Sequence, residues 1–296
     1  MAAHPQPERI AIVVHPTRPI EGALATLERW ADHKGLDVVQ ISAVGAVDRE
    51  VAPHGELRHG DLVVALGGDG TVLSALRASA PFDAPVLGAA CGSLGVLTAV
   101  AEPRLSDALA RIDTGDWTAR RLPALAIHPA GAPDEWAIND FVAVRHGAGQ
   151  LVASVSVDDE LYVRLAGDGL IVATPLGSTA YSMAAGGPVL AWGTQAFVCT
   201  PLAMHGGNAP PLVVPATSTV HVELHPSFAG FEVEIDGHDY PATEIDYRVS
   251  LHDEKVTLVA FDDSGHGLAG LRQRRLITDS PRVLARDDRA RLSTSS

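Results

Sequence analysis

The sequence predicts two units in series: an α/β domain built on a parallel sheet, then a β-rich antiparallel domain. Three observations predict it. Up to about residue 100, short apolar runs alternate with stretches of helical periodicity, the pattern of βαβ units. Beyond Arg120 the helical stretches give way to strand-length runs separated by turns. No Pro/Ser-rich linker intervenes, so the units are expected to pack closely, with residues 1–100 in the first and 101–267 in the second.

Each element has a local reason. Met1–Glu8 reads as a loose leader and Arg9–His15 (RIAIVVH) as a first buried strand. Glu21–Lys34 carries Leu24, Leu27 and Ala31 at helical spacing, and Gly35 stops it. Leu36–Ile41, Asp61–Leu66 and the run opening at Pro85–Gly88 are the next strands, and Leu105–Asp113 is a short helix ended near Gly115. In the second unit Leu122–His128, Glu135–Val144, Leu151–Val157, Leu161–Leu165 and Leu170–Thr174 read as strands. Thr219–His225, Phe231–Ile235, Tyr247–Leu251 and Lys255–Phe261 continue the series. Asp158-Asp159-Glu160 and Asp236-Gly237 are hairpin turns.

The 296 residues are 46% hydrophobic, enough for a sizeable core, and the formal net charge is −14. An acidic chain of this kind does not suit general nucleic-acid binding, which needs a basic face. A nucleotide substrate stays open, because one pocket can use backbone amides and a metal ion. Cys91 and Cys199 are too few for a disulfide framework or a cysteine zinc site, so a cytoplasmic location is expected. No signal peptide is evident and no apolar run approaches a membrane span, so no membrane partner is expected.

Three stretches could carry chemistry. Asp61–Thr71 (DLVVALGGDGT) reads as strand, glycine turn and helix opening. Gly67, Gly68 and Gly70 allow positive φ and close approach of a ligand, and free N–H groups at the helix start can face a phosphate. Asp69 is the acidic group in that turn; a plain βα turn with a local hydrogen bond is the other reading. Gly167–Pro188 (GDGLIVATPLGSTAYSMAAGGP) reads as strand, turn and a helix through Ala185, with Ser178 and Thr179 placed as caps. It is either a ligand-facing helix start or an ordinary well-capped one. Asn139-Asp140 lies inside a strand-like run that those residues disfavour, which marks a bulge, a site or a surface turn. There is no GxxxxGK[ST], GxSxG or HExxH pattern. His221, Glu223 and His225 share a strand face that reads as solvated, so no metal ligands are assigned.

In order and spacing, GGDGT at Gly67–Thr71, Asn139-Asp140 and the long GSTAY stretch resemble the NAD kinase family, over roughly residues 60 to 240. CGSLGVLT at Cys91–Thr98 and HGGNAPPLVVP at His205–Pro215 are similar to two further segments of that family. The resemblance implies a Rossmann-like N-terminal domain, a β-rich C-terminal domain and an active site between them. It implies transfer of the ATP γ-phosphoryl group to the adenosine ribose 2′-hydroxyl of NAD, with Mg²⁺ or another divalent cation accompanying ATP. By motif, Asp69 is the catalytic acid–base group, with Gly67, Gly68, Gly70 and Thr71 around it. Asn139 and Asp140 hold ribose hydroxyls and phosphate, and Asp168 contacts the nicotinamide end. Thr179, Ala180, Tyr181 and Ser182 frame the adenine side, with Ser178 and His238 also at the site. A homodimer or homotetramer is implied, as is a tail, 268–296, that returns to the first domain.

The chain departs from the family pattern at Asp140, where Glu is usual, and at Ser74, Val96, Leu176, Pro210 and His238. These cluster around the ligand pocket rather than the catalytic turn, so phosphoryl transfer is better founded than the identity of the acceptor. The alternatives are a related kinase with another nucleotide or a lipid as acceptor, and a non-catalytic NAD-binding relative.

Overall fold

The computed structural model describes residues 6–42, 49–225, 230–241, 244–261, 268–273 and 276–286. In the first half, β1 (Arg9–Val14), α1 (Glu21–Lys34), β2 (Val38–Gln40), β3 (Asp61–Gly67), α2 (Asp69–Ser79), β4 (Val86–Ala90), β5 (Val100–Ala101) and α3 (Leu105–Thr114) follow in order. β1 pairs in parallel with β2 and β3, and β3 with β4, as the alternating pattern predicts. Gly35, at φ 67°, closes α1 through N–H bonds to Asp32 O and Ala31 O made by itself and Leu36. Ile10, Ile12, Leu27, Leu66, Leu87, Leu105 and Leu109 are fully buried together beneath α1 and α3. Each such side chain contributes roughly 1.5–3 kcal/mol.

The second half is strands: β6 (Thr118–Pro129), β7 (Glu135–Ala137), β8 (Asp140–Arg145), β9 (Leu151–Val157), β10 (Glu160–Gly167), β11 (Gly169–Ala173), β12 (Ala196–Leu202), β13 (Leu212–Pro215), β14 (Thr219–His225), β15 (Phe231–Ile235), β16 (His238–Tyr240) and β17 (Asp246–Ala260). A four-residue helix, α4 (Tyr181–Ala184), follows β11, and α5 (Leu268–Gln273), whose Leu271 is buried, follows β17. β8, β11, β12, β13, β15 and β16 form an antiparallel sheet of their own. β17 is the shared element. Its first residues pair with β14 and its later residues lie parallel to β4, so one sheet runs β10-β9-β14-β17-β4-β3-β1-β2.

Several boundaries differ from the sequence reading. The run Glu135–Val144 is two strands, broken at Ile138-Asn139 because the backbone N–H groups there turn to a side chain described below. Tyr247–Leu251 and Lys255–Phe261 belong to one strand, β17, whose register against β6 shifts between His252 and Val256. The helix expected through Ala185 is α4 alone. The preceding Gly177–Thr179 is a 3-10 turn, and no side-chain hydrogen bond caps either piece.

Candidate functional site

The crevice lies outside the carboxyl ends of β1 and β3, where ligands sit in open α/β sheets. It is a cavity of about 420 Å³ lined by His15, Arg18, Gly68, Asp69, Gly70, Thr71, Ser74, Asp236, Gly237 and His238 among others. Residues from both halves of the chain therefore meet there.

Asp69 stands at the first position of α2, with Gly68 as the extended N-cap (φ −112°). Its carboxylate also holds the second glycine loop: Val96 N–H donates to Oδ2 at 2.7 Å and Leu97 N–H to Oδ1 at 2.8 Å. A Cβ on Gly95 would overlap that carboxylate. Each carboxylate oxygen keeps acceptor capacity beyond one amide, so Asp69 is fixed without being saturated. The turn glycines do not adopt the positive φ that the sequence suggested. Gly67 and Gly68 serve close approach instead: a Cβ on Gly67 would overlap Thr71 Oγ1, and one on Gly68 would lie 3.2 Å from Arg18 Nη1, whereas one on Gly70 would meet open space.

Sequence reasoning missed the positive wall of this cavity. The Arg18 guanidinium lies across both glycine turns, since a Cβ on Gly92 would also come within 3.1 Å of its Nη1. Its loop is fixed from two sides. His15 Nδ1 accepts N–H bonds from Thr17 and Arg18, and Arg49 donates to the His15 and Arg18 carbonyls while pairing with Glu21. Burial, then the Arg18 and Arg49 charges, hold the His15 pKa below its ordinary value, consistent with Nδ1 acting as an acceptor. An arginine three residues beyond a buried strand is a weak signal, but it was there to read.

Asp236 was read only as half of a hairpin turn. Its side chain is 0% exposed and its φ is +53°. Oδ1 accepts from Asn139 N–H at 2.6 Å, with Asp140 N–H at 3.3 Å; Oδ2 accepts from Ile138 N–H at 3.0 Å and from Arg77 Nη1 at 2.9 Å. Asp140 is buried beside it, and burial, then the Asp236 and Glu234 charges, push its carboxyl up to about 7.

A second, open cavity of about 580 Å³ is lined by Val144, Arg145, Asp168, Tyr181, Ala184, Leu202 and Glu234 among others. Asp168 accepts from Arg145 Nε at 2.6 Å, and His205 Nε2 is 3.7 Å away. Gly177 packs so closely on the Asn139 carbonyl that a Cβ would overlap it. Tyr181 is exposed, but the neighbouring hydroxyls turn inward. Ser178 Oγ donates to Pro175 O and accepts from Leu190 N–H; Thr179 Oγ1 donates to Leu176 O; Ser182 Oγ meets Thr200 Oγ1 at 2.9 Å. Ala180 is half-buried at the entry to α4. The structure thus groups Asp69, Gly68, Gly70, Thr71 and His238 on one side, and Asp168 and Tyr181 on the other. Asn139 and Asp140 line neither cavity: Asp140 is buried beside Asp236 of the first and Glu234 of the second, while Ser178, Thr179 and Ser182 are scaffold by their bonding.

Among the described residues, His221, Glu223 and Asp246 could offer three ligand atoms to a cation. His221 Nε2 already meets Asp246 Oδ2 at 3.0 Å, His225 bonds Ser154 instead, and Glu223 is exposed. Among the described residues no helix is long and apolar enough to cross a membrane.

Comparison with known proteins gives one consistent result. Residues 49–117 match the family model for the ATP-NAD kinase N-terminal domain, and residues 139–260 that for its C-terminal domain. A NAD kinase of Heliobacterium modesticaldum is 39% identical over 186 residues, 61% of this chain and 66% of that protein. One of Koribacter versatilis is 34% identical over 242 residues, 77% of this chain and 84% of that protein. Among solved structures, yeast NADH kinase with NADH aligns at TM-score 0.77 and 19% identity, covering 93% of this chain and 89% of that one. An NAD kinase of Archaeoglobus fulgidus with ATP aligns at TM-score 0.70 and 21% identity, covering 91% of this chain and all of that one. At these identities the structural likeness speaks for the fold.

Proposed function

The chain belongs to the NAD kinase family, and from that membership we propose that it transfers the γ-phosphoryl group of MgATP to the adenosine ribose 2′-hydroxyl of NAD, giving NADP. The observation that carries the reading is the placement of Asp69. It is held rigidly at a helix start, in a crevice that also contains Arg18 and the Asp236–His238 turn of the other half.

Phosphoryl transfer depends on positioning and charge stabilisation more than on covalent chemistry. The donor phosphates lie against the Gly67–Thr71 turn, where the α2 N–H groups and the Arg18 guanidinium offset their charge. Mg²⁺ arrives with ATP as part of the donor. NAD lies across Asn139-Asp140, with its nicotinamide end toward Asp168 and its adenine side along Thr179–Tyr181. The free lone pairs of Asp69 accept a hydrogen bond from the 2′-hydroxyl, orient it in line with the γ-phosphorus and take its proton as the new P–O bond forms. The phosphoryl group passes to the ribose oxygen and ADP leaves. Exposed Leu161 and Val213 on the edge strands β10 and β13 suit a homo-oligomer, and the buried free thiols Cys91 and Cys199 suit a reducing cytoplasm.

The test is incubation of purified protein with NAD, ATP and Mg²⁺, reading NADP with an NADP-specific dehydrogenase. NADP formation dependent on all three is expected. Calorimetry showing ATP binding but none for NAD or NADP would assign the pocket to another acceptor.

A further inference from the structure

Asp69 and Asn139-Asp140 come from different halves of the chain, and chemistry between them requires a fixed separation. A buried side chain supplies the tie. We infer that Asp236 is a positioning residue that locks the acceptor-side turn Ile138–Asp140 to the donor-side helix α2, so that the bound ribose meets Asp69 in register. The inference rests on the kinase reading above and adds to it a residue that contacts neither reacting atom.

The bonding makes the case. One carboxylate collects the N–H groups of Ile138 and Asn139, with Asp140 N–H at the margin, and the guanidinium of Arg77. Arg77 sits in the last turn of the helix that opens with Asp69. Its Nη1 also donates to Trp136 O at 2.7 Å, and its guanidinium lies 4.7 Å from the centre of the Trp136 ring. Arg77 therefore holds the residue that leads into the turn while Asp236 holds the turn itself. A non-glycine residue at φ +53° is conformationally unfavourable, and Asp is among the residues that tolerate it. The geometry aims the carboxylate back under residues 138–140, where β7 ends and β8 begins. Buried polar networks of this kind are rigid when every member is satisfied, and costly when one is removed.

The charge has a second consequence. Asp140 faces Asp236 and Glu234, the carboxylates that raise its pKa after burial. Neutralising Asp236 lowers the pKa of Asp140. As a ribose-hydroxyl acceptor Asp140 works ionised, so KM for NAD rises as pH falls through its pKa, and that transition moves to lower pH when the neighbouring charge is gone.

Asp236→Asn and Arg77→Gln separate these effects, with kcat, KM for NAD, KM for ATP and melting temperature measured on the full chain between about pH 5.5 and 8.5. Asp236→Asn is expected to raise KM for NAD about tenfold or more, lower kcat, change KM for ATP less than about threefold, and shift the NAD transition to lower pH. Arg77→Gln keeps the bonds that the N–H groups of residues 138–140 donate to Asp236, so it is expected to lower kcat by about tenfold with a smaller change in KM for NAD. A folded Asp236→Asn protein with kcat, KM for NAD and the pH transition all unchanged overturns the inference. If Asp236→Asn does not fold, Arg77→Gln decides: unchanged kcat in that variant overturns the coupling. A parent enzyme that makes no NADP refutes the kinase reading instead, so the two failures are distinct.

Discussion

The turn Gly67–Thr71 and the segment Pro175–Gly187 have similar compositions: glycines, hydroxyl side chains and an entry into a helix. They are built for different tasks. At Gly67–Thr71 the missing side chains let the Thr71 hydroxyl and the Arg18 guanidinium come close beside a cavity, while Gly95 of the neighbouring loop makes room for the Asp69 carboxylate. At Pro175–Gly187 the small side chains let the protein pack on itself, with Gly177 against the Asn139 backbone and Gly187 against the Ser182 and Thr200 hydroxyls. The hydroxyls there satisfy buried carbonyls and one another. Glycine-rich composition therefore signals close approach: in one case side chains of the protein crowd the turn at the edge of a cavity, and in the other the segment is packed into the protein on its own.

Asp69 carries the largest expected effect. Asp69→Asn places an amide nitrogen against Val96 N–H or Leu97 N–H, so the variant is not a silent replacement. It should lose about 1–3 kcal/mol of stability and, independently, about 10²–10⁴-fold in turnover. The check is kcat set beside the melting temperature. A lower melting temperature with turnover within about threefold of the parent would make Asp69 a cap for the Cys91–Thr98 loop and nothing more.

Asp140, between the two segments, gives the next effect. Its folded-state carboxyl titrates near 7, raised by burial and then by Asp236 and Glu234. The folded state therefore holds a proton that the unfolded chain has released above about pH 4. This group's contribution to stability is full below that pH and is lost as pH rises through about 7, a change on the order of a few kcal/mol. Asp140→Asn removes the titration. Its melting temperature relative to the parent should climb between about pH 4 and 7 and level off above, and a flat difference would mean that Asp140 stays ionised throughout.

Arg18 tests the donor side alone. Arg18→Ala should raise KM for ATP about tenfold and leave KM for NAD within about threefold, because the guanidinium faces the glycine turns rather than residues 139 and 140. Equal changes in both constants would place the arginine across both substrates.

Much of this was legible in the sequence. The alternation of β1, α1, β3 and α2 was readable because each strand is a short apolar run and each helix is punctuated by glycine. The Asp69 turn was readable because strand, glycines and helix are contiguous. Arg77 and Asp236 were not, because their bond spans 159 positions and neither residue is unusual where it stands. An exposed Asp-Gly hairpin and a buried acceptor of N–H groups have the same local sequence. The inward turn of Ser178 and Ser182 was hidden for a related reason, since their partners Leu190 and Thr200 arrive only when the chain folds back.

Ser182 gives the smallest and most discriminating effect. Its hydroxyl is fully buried and bonded to Thr200 Oγ1. Ser182→Ala leaves the Thr200 hydroxyl short of a partner, a cost of about 1–3 kcal/mol. That corresponds to roughly 2–4 °C in melting temperature per kcal/mol for a chain approaching this size. Removing both hydroxyls with Ser182→Ala and Thr200→Val replaces a satisfied pair by apolar groups of similar shape, and stability should largely return. In both variants kcat and KM for NAD should stay within about twofold of the parent. A tenfold rise in KM for NAD at unchanged melting temperature would mean that the Ser182 hydroxyl turns to the ligand when NAD binds. The difference drawn between the two glycine-rich segments would then disappear.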